Sequence, residues 1–152
     1  MKFKAVAALM VAVGFIYMMK DKTPRGIRNN NPGNLERNGI EWLGMSEHQN
    51  DARFIVFDSP VFGIRALARL LKTYESKHLL DTVEGIISRY APSNENNTTA
   101  YINHVARAIG VDAKERINVE DHLTGLIKAI TKHENGQQPY NDETIQRGIA
   151  LA

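Results

Sequence analysis

The sequence predicts a mainly helical α+β domain, on three observations. Apolar residues recur at three- and four-residue spacings through most of the chain after residue 59. A single turn-rich stretch before it, residues 25 to 57, breaks that period and ends in a short strand-like run. The composition, 152 residues with 43% hydrophobic and 24% charged, suits one ordinary core.

The first segment is different material. Residues Ala5 to Met19 form an uncharged run of fifteen, with Lys2 and Lys4 before it and Lys20 and Lys22 after it. A spanning helix usually needs roughly 20 apolar residues and a signal core about 7 to 15, so the length fits a signal sequence or short anchor. Cleavage wants small residues just after the run, and Phe15-Ile16-Tyr17-Met18-Met19 stands there instead. The expectation is therefore an uncleaved membrane anchor over residues 1–22, followed by a folded domain over residues 23–152. Positive charge on both flanks leaves its orientation undetermined.

Arg25-Gly26-Ile27-Arg28-Asn29-Asn30-Asn31-Pro32-Gly33-Asn34-Leu35 is rich in residues that hydrogen-bond their own backbone or adopt positive φ, which reads as an ordered loop. Arg37-Asn38-Gly39-Ile40 reads as a type I′ hairpin turn, with Leu35 before it and Ile40 and Trp42 after it. Arg53 to Phe57 supplies a third strand, and a small antiparallel wing is expected. From Ser59 the period turns helical: Ser59 caps, Pro60 takes the first position, and Ile64, Leu67, Ala68, Leu71 and Tyr74 make the buried face. Shorter helices are expected at about Thr82 to Arg89 and Thr98 to Ala108, the latter closed by Gly110. A final helix should start at Asn141-Asp142-Glu143.

The helix between them carries the chemistry. Val119, Leu123, Leu126, Ile127 and Ile130 form one apolar stripe that Glu134 extends by four residues. Asn118 is a fitting N-cap, and Gly136 followed by Pro139 is a fitting stop, so Glu134 falls in the last turn. Partial burial and the negative end of the helix dipole both favour the protonated acid there. A carboxylic acid that keeps its proton is what glycosidic cleavage needs for its leaving oxygen. The competing expectation is an ion pair, for instance with Arg28, that braces the fold.

Other chemistries lack support. Cysteine is absent, and His48, His78, His104, His122 and His133 show no ligand spacing, so neither metal nor cofactor is expected. Phosphate loops and Ser-His-Asp signatures are missing. The net charge of +2 conceals six Lys/Arg against one acid in residues 1 to 28, which leaves thirteen against sixteen in the remainder. A mildly acidic body argues against nucleic acid as a partner.

Arg25 to Asn34, Phe57-Asp-Ser-Pro-Val-Phe-Gly-Ile-Arg-Ala66, Tyr90-Ala-Pro with Glu95-Asn96-Asn97-Thr98 and Tyr101-Ile102, and His133-Glu-Asn-Gly-Gln-Gln-Pro-Tyr140 together resemble a family of phage and prophage proteins described as virion structural proteins. The order of elements also resembles a circular permutation of lysozyme-like muramidases and lytic transglycosylases. In those a catalytic glutamate at a helix end is followed by the wing, whereas here the wing comes first. The resemblance implies a lysozyme-like helical domain with a β wing, acting on peptidoglycan glycan strands.

It also implies site roles. Glu134 would be the general acid, with Asp51 the first choice among Glu36, Glu41 and Asp51 for a second carboxylate. A transglycosylase needs no second acid, since the substrate's own hydroxyl closes the ring. Sugar faces want aromatic platforms, for which Trp42, Tyr90, Tyr101 and Tyr140 are candidates. Sugar hydroxyls want amides, for which Asn30, Asn31, Asn34 and Gln137 are candidates. The expectation is a membrane-anchored, virion-associated enzyme with peptidoglycan, the membrane and other virion proteins as partners. A non-enzymatic virion component that binds glycan and a signal-anchored endolysin are its rivals.

Overall fold

The backbone between residues 22 and 59 satisfies itself largely without regular structure, and this sets how the helices that follow are joined to it. The computed structural model describes residues 22–94 and 97–152. The apolar run Ala5 to Met19, and with it the expected anchor, lies outside the described residues, as do Glu95 and Asn96. Six helices are described: α1 (Arg25–Arg28), α2 (Pro60–His78), α3 (Val83–Tyr90), α4 (Thr98–Ile109), α5 (Val119–Asn135) and α6 (Asp142–Ala150). Among the described residues no helix is long and apolar enough to cross a membrane.

The long helices follow the sequence pattern closely. In α2, Pro60 stands in the first turn and Ile64, Leu67, Ala68, Leu71 and Tyr74 are all buried. Ser59 precedes it, but its side chain makes no capping bond. Thr82, Asn97, Asn118 and Asn141 do cap, each accepting a backbone N–H from three residues ahead. Gly110 and Gly136 close α4 and α5 in the left-handed region, at φ 73° and 70°. α5 is the central element, packing on α1, α2, α4 and α6.

The wing departs from expectation. Type I′ geometry needs positive φ at both central residues, and of the pair only Gly39 has it, at 83°. Asn38 instead accepts the Ile40 N–H through Oδ1 at 3.2 Å. Residues 35–37 and 40–42 therefore do not pair with each other. The first flank and, past the second, residues 45–46 go instead to the 53–57 segment: Ile55 N–H donates to Leu35 O at 2.9 Å, and Ser46 N–H donates to Val56 O at 2.9 Å. The result is isolated antiparallel bridges, Glu36 with Phe54 and Met45 with Phe57, and no continuous ladder. Ile40 and Leu43, 52% and 55% exposed, give residues 40–43 no buried face to hold a strand.

Two apolar clusters result. The larger unites α2 to α6 around Leu67, Leu71, Ile87, Tyr101, Leu126 and Ile130. The smaller joins Leu35, Ile55 and Phe57 of the wing to Ala66 of α2. Leu70 and Tyr90 pack against both, and a surface cleft opens along that seam.

Candidate functional site

The Asn-rich loop is built first, by its own amides. Asn31 is fully buried; its Nδ2 donates to Leu35 O and Ile55 O, both at 2.9 Å, while its Oδ1 accepts Leu35 N–H at 2.9 Å. Asn30, at φ 52°, donates to Phe57 O at 2.9 Å. These side chains replace ladder bonds that the irregular wing lacks. They are scaffold, turned away from solvent.

The loop is then docked on the end of α5. Asn135 Nδ2 donates to Pro32 O at 2.8 Å and to Thr131 O at 3.0 Å. Tyr90, from α3, donates its hydroxyl to Gly33 O. Asn34, in the left-handed region at φ 50°, turns its Nδ2 to Glu134 Oε2 at 3.0 Å. Gly26 lies under this junction. A Cβ there would stand 2.4 Å from Asn135 Oδ1, 2.7 Å from Asn34 Oδ1 and 2.8 Å from Asn31 O. Only glycine lets the three oxygens converge.

Glu134 is half-buried and held from two sides. Opposite Asn34, Tyr101 donates its hydroxyl to Oε1 at 2.8 Å. Tyr101 is itself 1% exposed, stacked on His133 with ring centroids 3.6 Å apart and set edge-on to Tyr90 at 6.4 Å. Burial, reinforced by Tyr90 and Glu134, raises the Tyr101 phenol far above the usual tyrosine range, so it remains a donor. His133 Nδ1 faces His104 Nδ1 at 3.1 Å. Burial and then His104 push the His133 imidazole below its ordinary value, against a smaller opposing pull from Glu134. Among the described residues no cation pairs with Glu134. Arg28 donates to Thr23 O at 3.2 Å instead.

The carboxylate opens on the seam cleft, a cavity of about 820 Å³. Of the sequence candidates, Glu134, Asn34, Glu36, Trp42 and Tyr90 line it together. Tyr101 stands behind Glu134 as its support, outside the lining. Gln137 is exposed and outside the lining, and Tyr140 packs against the helical core. The Tyr140 hydroxyl is buried without a partner among the described residues, which pushes it up to about 12.

Asp51 is not in the cleft lining. It is 8% exposed and fully engaged: Arg25 Nε and Nη2 donate to it at 2.7 and 2.6 Å, Asn29 Nδ2 at 2.8 Å, and the Arg53 and Phe54 N–H groups at 2.9 Å each. The Arg25 guanidinium above all, then the backbone and Asn29 bonds, hold its carboxyl well below the usual carboxylate range against the opposing cost of burial. Its geometry is that of a brace between α1 and the wing. The second carboxylate in the lining is Glu36, paired with Arg53 through Nε at 2.8 Å.

Sequence reasoning passed over Arg37, Arg53 and Phe54, which also line the cleft. They are brought there by the Glu36–Phe54 bridge, a pairing across 18 residues that no local pattern announces.

No family model matches the chain. Over 150 residues, 97% of its length, the chain is 40% identical to Protein P5 of Pseudoalteromonas phage PM2, and the match covers 92% of that protein.

Proposed function

The chain belongs to the family of phage Protein P5, and on that premise we propose that it is a virion-associated protein that cuts the glycan strands of peptidoglycan as a lytic transglycosylase. One observation carries this reading. Glu134 stands in the wall of a cleft, gripped by Tyr101 and Asn34 at 2.8 and 3.0 Å, with no cation on it among the described residues. Asp51, by contrast, is tied to Arg25. A carboxyl fixed by neutral donors in a cleft is instead set to exchange a proton with something bound there.

The lysozyme-like plan implied by the sequence is consistent with the arrangement: acid at a helix end, Asn-Pro-Gly-Asn loop and wing beside it, aromatic Trp42 and Tyr90 in the lining. In the proposed reaction Glu134 gives its proton to the glycosidic oxygen as that bond breaks. The same carboxylate then takes the proton of the muramoyl hydroxyl that closes onto the anomeric carbon, so water is not consumed. The transglycosylase route is favoured over two-carboxylate hydrolysis because the other lining acid, Glu36, is tied to Arg53 and Asp51 is tied to Arg25.

Glu134→Gln tests the reading. The amide keeps the shape, and Asn34 can present its oxygen to it by a half-turn of its own amide, so the melting temperature should stay within a few degrees. Cleavage of purified sacculi, read by mass spectrometry of the muropeptides, should fall by at least ~10². Anhydro-muramyl ends support the transglycosylase, reducing ends convert the reading to a hydrolase, and no products from the wild type leave a non-enzymatic virion component.

A further inference from the structure

The cleft carries one cation that no described acid neutralises. Arg37 and Arg53 both line it, but Arg53 is committed to Glu36. Arg37 is exposed and tethered only at Nη2, which donates to the Ala52 carbonyl at 2.8 Å; no carboxylate pairs with it among the described residues. It lies three residues beyond Asn34, whose side chain holds Glu134. Three residues of extended chain reach at most about 11 Å, so Arg37 belongs to the sugars nearest the scission point.

Resting on the glycan-cleaving reading above, we propose that Arg37 makes this a site for glycans bearing a carboxylate on the sugar, the lactyl arm of muramic acid or the stem attached to it, in preference to neutral chitin-type strands. A glycan laid in the cleft strips water from the guanidinium. Neutral hydroxyls return weak bonds for that loss, and a carboxylate returns a charge-assisted, bidentate one. The tether to Ala52 uses one of the two Nη2 hydrogens and fixes the guanidinium plane beforehand, while the other Nη2 hydrogen and its neighbour along the same edge are left to meet the acid.

The test uses the full chain carrying Glu134→Gln, so that ligands bind without turnover. Three ligands of equal length are titrated: a chitin oligosaccharide, a denuded muramoyl strand with free lactyl carboxylates, and the same strand with stem peptides. The muramoyl ligands should bind about tenfold tighter than chitin, with the gain shrinking as salt rises. Arg37→Ala should erase the gain, weakening the muramoyl ligands far more than chitin, and Arg37→Lys should retain part of it. A gain seen with the denuded strand assigns the contact to the lactyl carboxylate, and one confined to the stemmed strand assigns it to the peptide. Equal affinity for neutral and acidic strands, or an equal loss of both on Arg37→Ala in a chain whose circular dichroism is unchanged, overturns the proposal while leaving the glycan reading intact. Binding of none of the three sinks both.

Discussion

Replacing Asp51 by asparagine should weaken the fold and spare the chemistry. With the amide nitrogen in place of Oδ2, two of the five hydrogen bonds are lost, those from Arg25 Nε and Asn29 Nδ2, while the three to Oδ1 survive. Arg25 has a side chain 45% exposed and can turn to water, so its share is small. Asn29, 5% exposed, can turn its amide to offer Oδ1 to the new nitrogen, which exchanges a charge-assisted bond for a neutral one at a cost of about 1–2 kcal/mol. A loss of roughly 1–2 kcal/mol lowers the melting temperature of a domain this size by about 3–8 °C. The effect depends on pH. Because the folded carboxyl is held below its unfolded value, its stabilisation is complete above about pH 4 and is lost as pH falls below that. Wild type and variant should therefore converge in acid. Calorimetry from pH 7 to pH 3 reads the stability, and sacculus turnover at 20 °C, normalised to folded protein, reads the chemistry. An unchanged melting temperature with cleavage abolished would refute the brace and return Asp51 to the cleft as a second carboxylate.

Gly26→Ala places a methyl within 2.4 to 2.8 Å of three oxygens; the urea midpoint should drop by the equivalent of about 2–3 kcal/mol, and a neutral result would mean that the loop slides freely on α5. Tyr101→Phe removes a donor from Glu134 and should cost about 1 kcal/mol of stability yet at least tenfold in cleavage rate. Full activity in that variant would show that Tyr101 does not position the acid. His133 is pushed below its unfolded value by burial and His104, so the unfolded chain binds the extra proton. Stability should thus be complete above about pH 6.5 and fall as pH drops below it, and His133→Asn should flatten melting curves measured between pH 7.5 and 5.

The helices were legible because each carries its own evidence within a few residues. The Asn118 cap, the stripe from Val119 to Ile130 and the Gly136 stop are all local, and each stands where the pattern put it. The loop before them was legible as ordered but not in its purpose. Asn30 and Asn31 look like hydroxyl readers in sequence, and their partners, Phe57 O and Ile55 O, lie 27 and 24 residues away. Asp51 misleads in the same way, since its arginine is 26 residues upstream. The supposed hairpin failed on one dihedral, because a positive φ at Gly39 without one at Asn38 sends the chain outward. Sequence could place Glu134 at a helix end, but not the donors that hold it, 33 and 100 residues away.

The misreading of the asparagines and the candidate chemistry share a physical origin. A wing without a continuous ladder leaves buried carbonyls to satisfy, and short amide side chains do so, Asn30 at a position where the backbone also takes a left-handed turn. Once Asn31 and Asn135 have pinned the loop to the 53–57 segment and to α5, Asn34 has its backbone fixed at both ends and its Nδ2 directed at Glu134. The aspartate that braces the wing is neutralised by arginine, and so is the glutamate of its bridge. Glu134 is held by a phenol and an amide, which bring no charge. If it were one more brace, exchanging it for glutamine would disturb stability more than cleavage; the transglycosylase reading requires the opposite ranking.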